Sequence, residues 1–102
     1  MNGHVHVTGV AGAGMSAVAQ VLSWTHGRVT GSDRYYDQGL ALPVLTALQA
    51  AGVELVRQDG AAIDGRTEAV VYSTAIEETN PDFDAAKRHG VPLCHRADML
   101  AR

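Results

Sequence analysis

A single cysteine, Cys94, stands in 102 residues. It excludes an intramolecular disulfide and fits a reducing compartment. No apolar run approaches the roughly 20 residues that a membrane-spanning helix needs. The opening Met1-Asn2-Gly3-His4 lacks a basic segment followed by an apolar one, so no secretory signal is read and a cytoplasmic location is expected. Basic clusters are missing, and the formal net charge is −3. Neither nucleic acid nor an acidic membrane is therefore an expected partner. No internal repeat, low-complexity tract or linker interrupts the chain. What is present is ordinary for one globular domain: 46% hydrophobic and 19% charged residues, in a length that supports a single modest core.

Short β-like runs alternate with helical stretches. His4–Gly9 reads as a strand that leads into a glycine-rich turn. From Gly12 onward the apolar period becomes helical, with Met15, Val18, Ala19 and Leu22 on one face, Trp24 off it, and Gly27 as a stop. Arg28–Ser32 is a second strand, and the polar, aromatic stretch Asp33–Gly39 reads as a loop. Pro43 suits the first turn of a helix carrying Val44, Leu45 and Leu48, which Gly52 ends. Val53–Val56 is a third strand and Gln58–Arg66 a loop. Ala69–Ser73 is a fourth strand. Asn80 caps a helix with Pro81 at its first position, running to about His89-Gly90. Val91–Cys94 is a fifth strand, and Arg96–Arg102 begins another helix.

This alternation predicts an α/β fold: a Rossmann-like, doubly wound, five-stranded parallel sheet with helices on both faces. The expected strand order is 3-2-1-4-5, with the ligand crevice beyond the C-terminal ends of strands one and four.

The strongest local signal is Gly9-Val10-Ala11-Gly12-Ala13-Gly14-Met15-Ser16, where strand one becomes helix one. Glycine permits a tight turn and close ligand approach. The N–H groups of a helix start, with its dipole, suit a phosphate. The match to the dinucleotide fingerprint G-x-G-x-x-G is imperfect, because Ala11 takes the middle position. Taken alone, the loop is also compatible with a turn that only lets helix and strand pack closely. Asp33, ending strand two, is either an acidic residue that meets a ribose or a capping aspartate.

Several ordered blocks go further. His6 to Ser16 resembles the family motif in which a His and a short apolar stretch precede G-I-G-G-A-G-M-S. Val29-Thr30-Gly31-Ser32-Asp33 resembles V-x-G-S-D, and Val70 to Ile76 resembles V-V-x-S-[ST]-A-I. Asn80-Pro81 and Gly90-Val91-Pro92 follow at the familiar spacing, and Arg96 to Ala101 resembles R-A-E-M-L-A. Together they resemble the N-terminal domain of the Mur ligases, in particular the alanine-adding UDP-N-acetylmuramate ligases, over residues 1–102. The related ligase that attaches a murein tripeptide carries a loop nearer to G-x-C-G-T, which Ala13-Gly14-Met15-Ser16 does not match.

The resemblance implies a three-domain, ATP-dependent enzyme of peptidoglycan synthesis. Its first domain binds the UDP part of UDP-N-acetylmuramate, its central domain holds ATP and magnesium, and its third helps bind the amino acid. It also implies roles for individual residues. Gly9, Ala11, Gly12, Ala13 and Gly14 would meet the diphosphate through backbone N–H groups, with Met15 and Ser16 beside it. Ser32 and Asp33 would lie near the ribose or uracil. Ser73, Thr74 and Ala75 would wall the other side, and Arg96 would face the ligand or another domain. A P-loop, G-x-x-x-x-G-K-[ST], is expected in the central domain and is not found in these residues, whose only lysine is Lys87. This segment is thus expected to bind and not to ligate by itself, with no cofactor or metal of its own. An apolar patch around Met99 and Leu100 would meet the neighbouring domain.

Two departures mark the chain as divergent. Ala11 replaces a glycine, and Gln58-Asp59 stand where the family commonly has Gly-His. The loop Arg34 to Gly39 also looks unlike the common pattern. Two other readings fit the glycine loop alone: a nicotinamide- or flavin-binding module of an oxidoreductase, and a nucleotide-sensing domain without chemistry. The remaining residues read blandly. His4 and His6 share a strand side without a third metal ligand at convincing spacing, so they are taken as strand or surface histidines. Cys94 is taken as a small strand residue rather than a nucleophile. Tyr35 and Tyr36 suit either a solvent loop or stacking on a uracil. Glu77, Glu78, Asp82 and Asp84 read as the solvated start of a helix.

Overall fold

The computed structural model describes residues 3–12, 14–25 and 27–96. Five parallel strands form one sheet: β1 (His4–Thr8), β2 (Arg28–Ser32), β3 (Glu54–Val56), β4 (Thr67–Tyr72) and β5 (Leu93–His95). Their order is β3-β2-β1-β4-β5, as the alternation of strand and helix predicts. The helices are α1 (Met15–Thr25), α2 (Arg34–Asp37), α3 (Pro43–Ala50) and α4 (Pro81–His89).

The sheet has two chemically different faces, because alternate residues of a strand point to opposite sides. Val5 and Val7 of β1, Val29 of β2 and Val71 of β4 join Met15, Val18, Ala19 and Leu22 of α1 and Leu45 and Leu48 of α3 in the main core. Val70 points the other way and packs with Ile63, Ala85, Ala86 and Val91 in a smaller cluster under α4. Helices therefore cover both faces. Trp24, off the apolar stripe of α1, is 70% exposed.

Three local expectations are corrected. The stretch Asp33–Gly39 contains α2, with Asp33 accepting the Tyr35 N–H as its cap. One turn of helix is too short to show a period, and only its capping aspartate was visible. β4 begins two residues earlier than Ala69, because Thr67 pairs with His4 across a register shift. β5 is displaced from Val91–Cys94 to Leu93–His95: Val91 is drawn into the α4 cluster, and the strand forms after Pro92. Of the helix expected from Arg96, only Arg96 lies within the described residues; the patch at Met99 and Leu100 lies outside them.

Candidate functional site

Strand order reverses at β1, between β2 and β4. Loops leaving the C-terminal ends of these strands must diverge there, and a crevice opens between them. The crevice is a cleft of about 290 Å³. Gly9, Gly12, Asp33, Arg34, Tyr35 and Gln58 line one wall, and Ser73, Ala75, Ile76 and Glu77 the other. Six residues singled out in the sequence, Gly9, Gly12, Asp33, Tyr35, Ser73 and Ala75, thus meet in one place. Arg34, Gln58, Ile76 and Glu77 join them without having been assigned a role.

The turn that builds the cleft floor is held from β2. The Ser32 carbonyl accepts the N–H groups of both Gly9 (2.8 Å) and Val10 (3.0 Å), and the Gly9 carbonyl accepts that of Gly12. Ala11 donates its N–H to Asp33 Oδ2 at 3.0 Å, while Asp33 Oδ1 accepts from Tyr35 at 2.9 Å. Met15 and Ser16 both donate to the Gly12 carbonyl. Gly9 takes this path with φ of 76°, a conformation that costs other residues energy.

These bonds engage several residues for which ligand roles are expected. The N–H groups of Gly9, Ala11 and Gly12 are paired with protein acceptors in this structure. The capping reading of Asp33 holds, and the same carboxylate also anchors the glycine turn. Met15 is 1% exposed and belongs to the core, so it lines no cleft. Ser32 is fully buried, with its hydroxyl committed elsewhere. Thr74 faces an adjoining hollow shared with Tyr72, Phe83 and Lys87. Ser16 is half-buried at the start of α1, and Ala13 lies outside the described residues. Arg96 swings back over the turn: a Cβ built on Gly14 would sit 3.2 Å from an Arg96 guanidinium nitrogen. The cation at the end of β5 thereby stands at the start of α1, where an anion is favoured.

Below the cleft lies a feature that the bland readings missed. Central strands of a parallel sheet are usually apolar on both faces, yet His4, His6 and Thr8 alternate along β1, beside Thr30 and Ser32 of β2. All five are buried. Three of them, His6, Thr8 and Ser32, share a partner, Asp82 in the first turn of α4, 1% exposed rather than solvated. Asp82 Oδ2 accepts from Ser32 Oγ (2.6 Å), Thr8 Oγ1 (2.9 Å) and His6 Nε2 (2.9 Å), and Oδ1 accepts from the Gly60 N–H (3.0 Å). Burial, the largest influence, pushes the Asp82 carboxyl up; the His6 hydrogen bond and charge, with the Ser32 and Thr8 bonds, outweigh it and hold the group below its ordinary value.

Donor counting extends this anchor into a chain. A carboxylate only accepts, so His6 Nε2 carries a hydrogen. Thr30 Oγ1 lies 2.7 Å from His6 Nδ1 and 2.6 Å from His4 Nε2. With one hydroxyl hydrogen it donates to one of the two rings and accepts from the other. His4 Nδ1 pairs with Thr67 Oγ1 at 3.2 Å, and Thr67 Oγ1 itself accepts the Asp64 N–H. Every member of the chain thus has a partner within hydrogen-bond distance. Burial first, then the neighbouring Arg28 and His6, lower the His4 pKa from 6.5. The folded state therefore favours neutral His4. The stability this adds is present above pH 6.5 and is lost as pH falls from there through the lowered folded-state value. His4→Gln is expected to flatten that limb of a pH–stability profile, whose slope from one group is at most about 1.4 kcal/mol per pH unit.

Gln58 joins the anchor to the cleft. Its Nε2 donates to Ser32 Oγ (3.3 Å), its Oε1 accepts from Asn80 Nδ2 (3.1 Å), and its N–H binds the Asp37 carboxylate. Asp59, by contrast, is exposed and caps its own turn at Ala61.

A family model described as Mur ligase family, catalytic domain, matches residues 4–102. The chain belongs to the Mur ligase family. Its similarity is strong to UDP-N-acetylmuramate–L-alanine ligase of Rubrobacter xylanophilus, 44% identical over 98 residues, covering 96% of this chain and 21% of that protein. The same enzyme of an Arthrobacter species is 41% identical over 99 residues, covering 97% and 20%. This Mur ligase chain thus spans about one fifth of the length of the curated relatives it matches. Among solved structures, a UDP-N-acetylmuramate:L-alanyl-gamma-D-glutamyl-meso-diaminopimelate ligase from Neisseria meningitides superposes with a TM-score of 0.80 at 21% identity, covering 99% of this chain and 31% of that one. The UDP-N-acetylmuramate–alanine ligase of Thermotoga maritima gives 0.75 at 24% identity, covering 97% and 22%. Both establish the Mur ligase fold of this sheet. Among the described residues, no helix is long and apolar enough to cross a membrane, and no group of three His, Cys, Asp or Glu side chains is placed to hold a metal.

Proposed function

We propose that this chain is the UDP-N-acetylmuramate-binding domain of an ATP-dependent UDP-N-acetylmuramate–L-alanine ligase of peptidoglycan synthesis. The observation that carries this reading is the cleft at the strand-order reversal, floored by the glycine turn, in a chain 44% identical to such a ligase. Tyr35, 47% exposed on the cleft wall, offers a ring face for the uracil. Arg96 beside Gly14 supplies positive charge for the diphosphate. Gln58, fixed by Asn80 and Ser32, stands with Asp59 where the family commonly has Gly-His and gives the cleft wall a polar edge for the nucleoside. Ligation would belong to the other four fifths of such a protein, since no P-loop is found in this sequence; ATP, the metal and the amino acid would be held there.

Calorimetric titration of the chain with UDP-N-acetylmuramate, UDP, NAD and ATP tests the reading. UDP and UDP-N-acetylmuramate are expected to bind in preference to NAD and ATP. Arg96→Ala is expected to weaken UDP binding about tenfold or more, the cost of a lost charge-assisted hydrogen bond. Preference for NAD would sink the proposal in favour of a dehydrogenase-type module.

A further inference from the structure

Arg34 leaves the end of β2 and Glu77 lies in the segment after β4, so they stand on opposite walls of the cleft. Arg34 Nη2 and Glu77 Oε1 approach to 3.7 Å. Both side chains are largely exposed, at 60% and 70%, and such a pair is weak and easily broken. Among the described residues that line the cleft, Arg34 is nevertheless the cation; the other charged groups there are Asp33 and Glu77. Asp33 has both oxygens engaged by backbone N–H groups, so Glu77 is the carboxylate that competes for the guanidinium.

We propose that Arg34 is an anion-binding residue of this cleft and that Glu77 is its built-in competitor, closing the mouth as an ion-pair clasp when no anionic ligand is present. A diphosphate entering the cleft takes the guanidinium from Glu77, because a doubly charged oxyanion with several acceptor oxygens binds the planar fork better than one distant carboxylate. Glu77 then opposes the ligand charge from the far wall. The clasp thus lowers affinity for every anion that enters, and only ligands whose other groups fill the cleft overcome it. The inference rests on the nucleotide-binding reading above and adds to Arg96 a second residue that receives the anion and a residue that restrains it.

UDP and uridine, titrated into the wild-type chain, Arg34→Gln, Glu77→Gln and the double variant, separate the possibilities; thermal melts confirm that each variant is folded. Glu77→Gln is expected to bind UDP more tightly, by no more than about fivefold, and Arg34→Gln to bind it about tenfold more weakly. In the double variant the benefit of Glu77→Gln should shrink, since part of it acts through Arg34. Uridine, which carries no phosphate, should show none of these changes. Equal UDP affinity in wild type and Arg34→Gln overturns the clasp while leaving the nucleotide reading intact. Weaker UDP binding by Glu77→Gln also overturns it, by making Glu77 a ligand contact. Failure of the wild-type chain to bind UDP overturns both readings together.

Discussion

Asp82→Ala is expected to destabilise the domain by about 3–5 kcal/mol, the cost of removing one partner from a buried charged pair. The single carboxylate serves β1 through His6 and Thr8, β2 through Ser32, and the β3–β4 loop through the Gly60 N–H. Alanine leaves four donors without their acceptor in a space that is 1% exposed, and each buried donor then bears its desolvation cost. Domains of this size have about 5–15 kcal/mol in total, so a fall in Tm of roughly 12 °C or more is expected. Asp82→Asn, which keeps the shape and one acceptor oxygen, should cost less. The acid response distinguishes charge from packing. The folded-state pKa of Asp82 lies below its ordinary value of 3.8, so the stability it adds is present above that value and disappears as pH falls through the lower one. Wild type should lose this increment in acid and Asp82→Asn should not. Urea denaturation across the acid range reads both effects. Equal stability of wild type and Asp82→Ala near neutral pH would mean that the buried network contributes nothing net.

That anchor marks the limit of what the sequence discloses. Elements long enough to show a period, such as α1 with its Met15, Val18, Ala19 and Leu22 stripe, were legible, and so was the strand order, because right-handed crossovers restrict it. The cleft was legible as far as its residues fall at strand ends: Gly9, Asp33, Ser73 and Ala75. Asp82 was not. An acidic residue in the first turn of a helix is ordinarily solvated and dipole-stabilised, and Asp84, two positions on, is exposed. The available signal was on another element. Polar residues alternating with valine in HVHVT, on the strand destined for the sheet centre, required buried partners, but not from any particular helix. Arg34 and Glu77 were invisible for a similar reason: 43 positions apart in the chain, they meet only because β2 and β4 flank β1.

Gly31→Ala is expected to disturb both stability and the cleft. Gly31 sits in β2 beside Val7 of β1, and the side chain of Val10 lies across it. A Cβ at position 31 would stand 2.9 Å from Val10 Cγ2 and 3.0 Å from both Val10 Cβ and Cγ1. Valine has one side-chain torsion and is stiff about it, and with Cβ itself in contact no rotamer relieves the clash. Either β2 or the glycine turn must move, at an overpacking cost of about 1–3 kcal/mol. The turn is the weaker body: it is held through the Gly9 and Val10 N–H bonds to Ser32 and the Ala11 bond to Asp33, the last of which stretches if Val10 lifts. Loss of UDP affinity should therefore accompany loss of stability. Val10→Ala in the same chain removes both Cγ atoms, leaves the 3.0 Å Cβ contact to a small shift, and should recover much of the affinity, although it creates a small void in a fully buried position. Parallel denaturation and UDP titration of the two single variants and the double variant measure this coupling. Strict additivity of the two substitutions would show that Gly31 does not act through Val10, and that the glycine of the Gly-Ser-Asp block has no part in seating the turn.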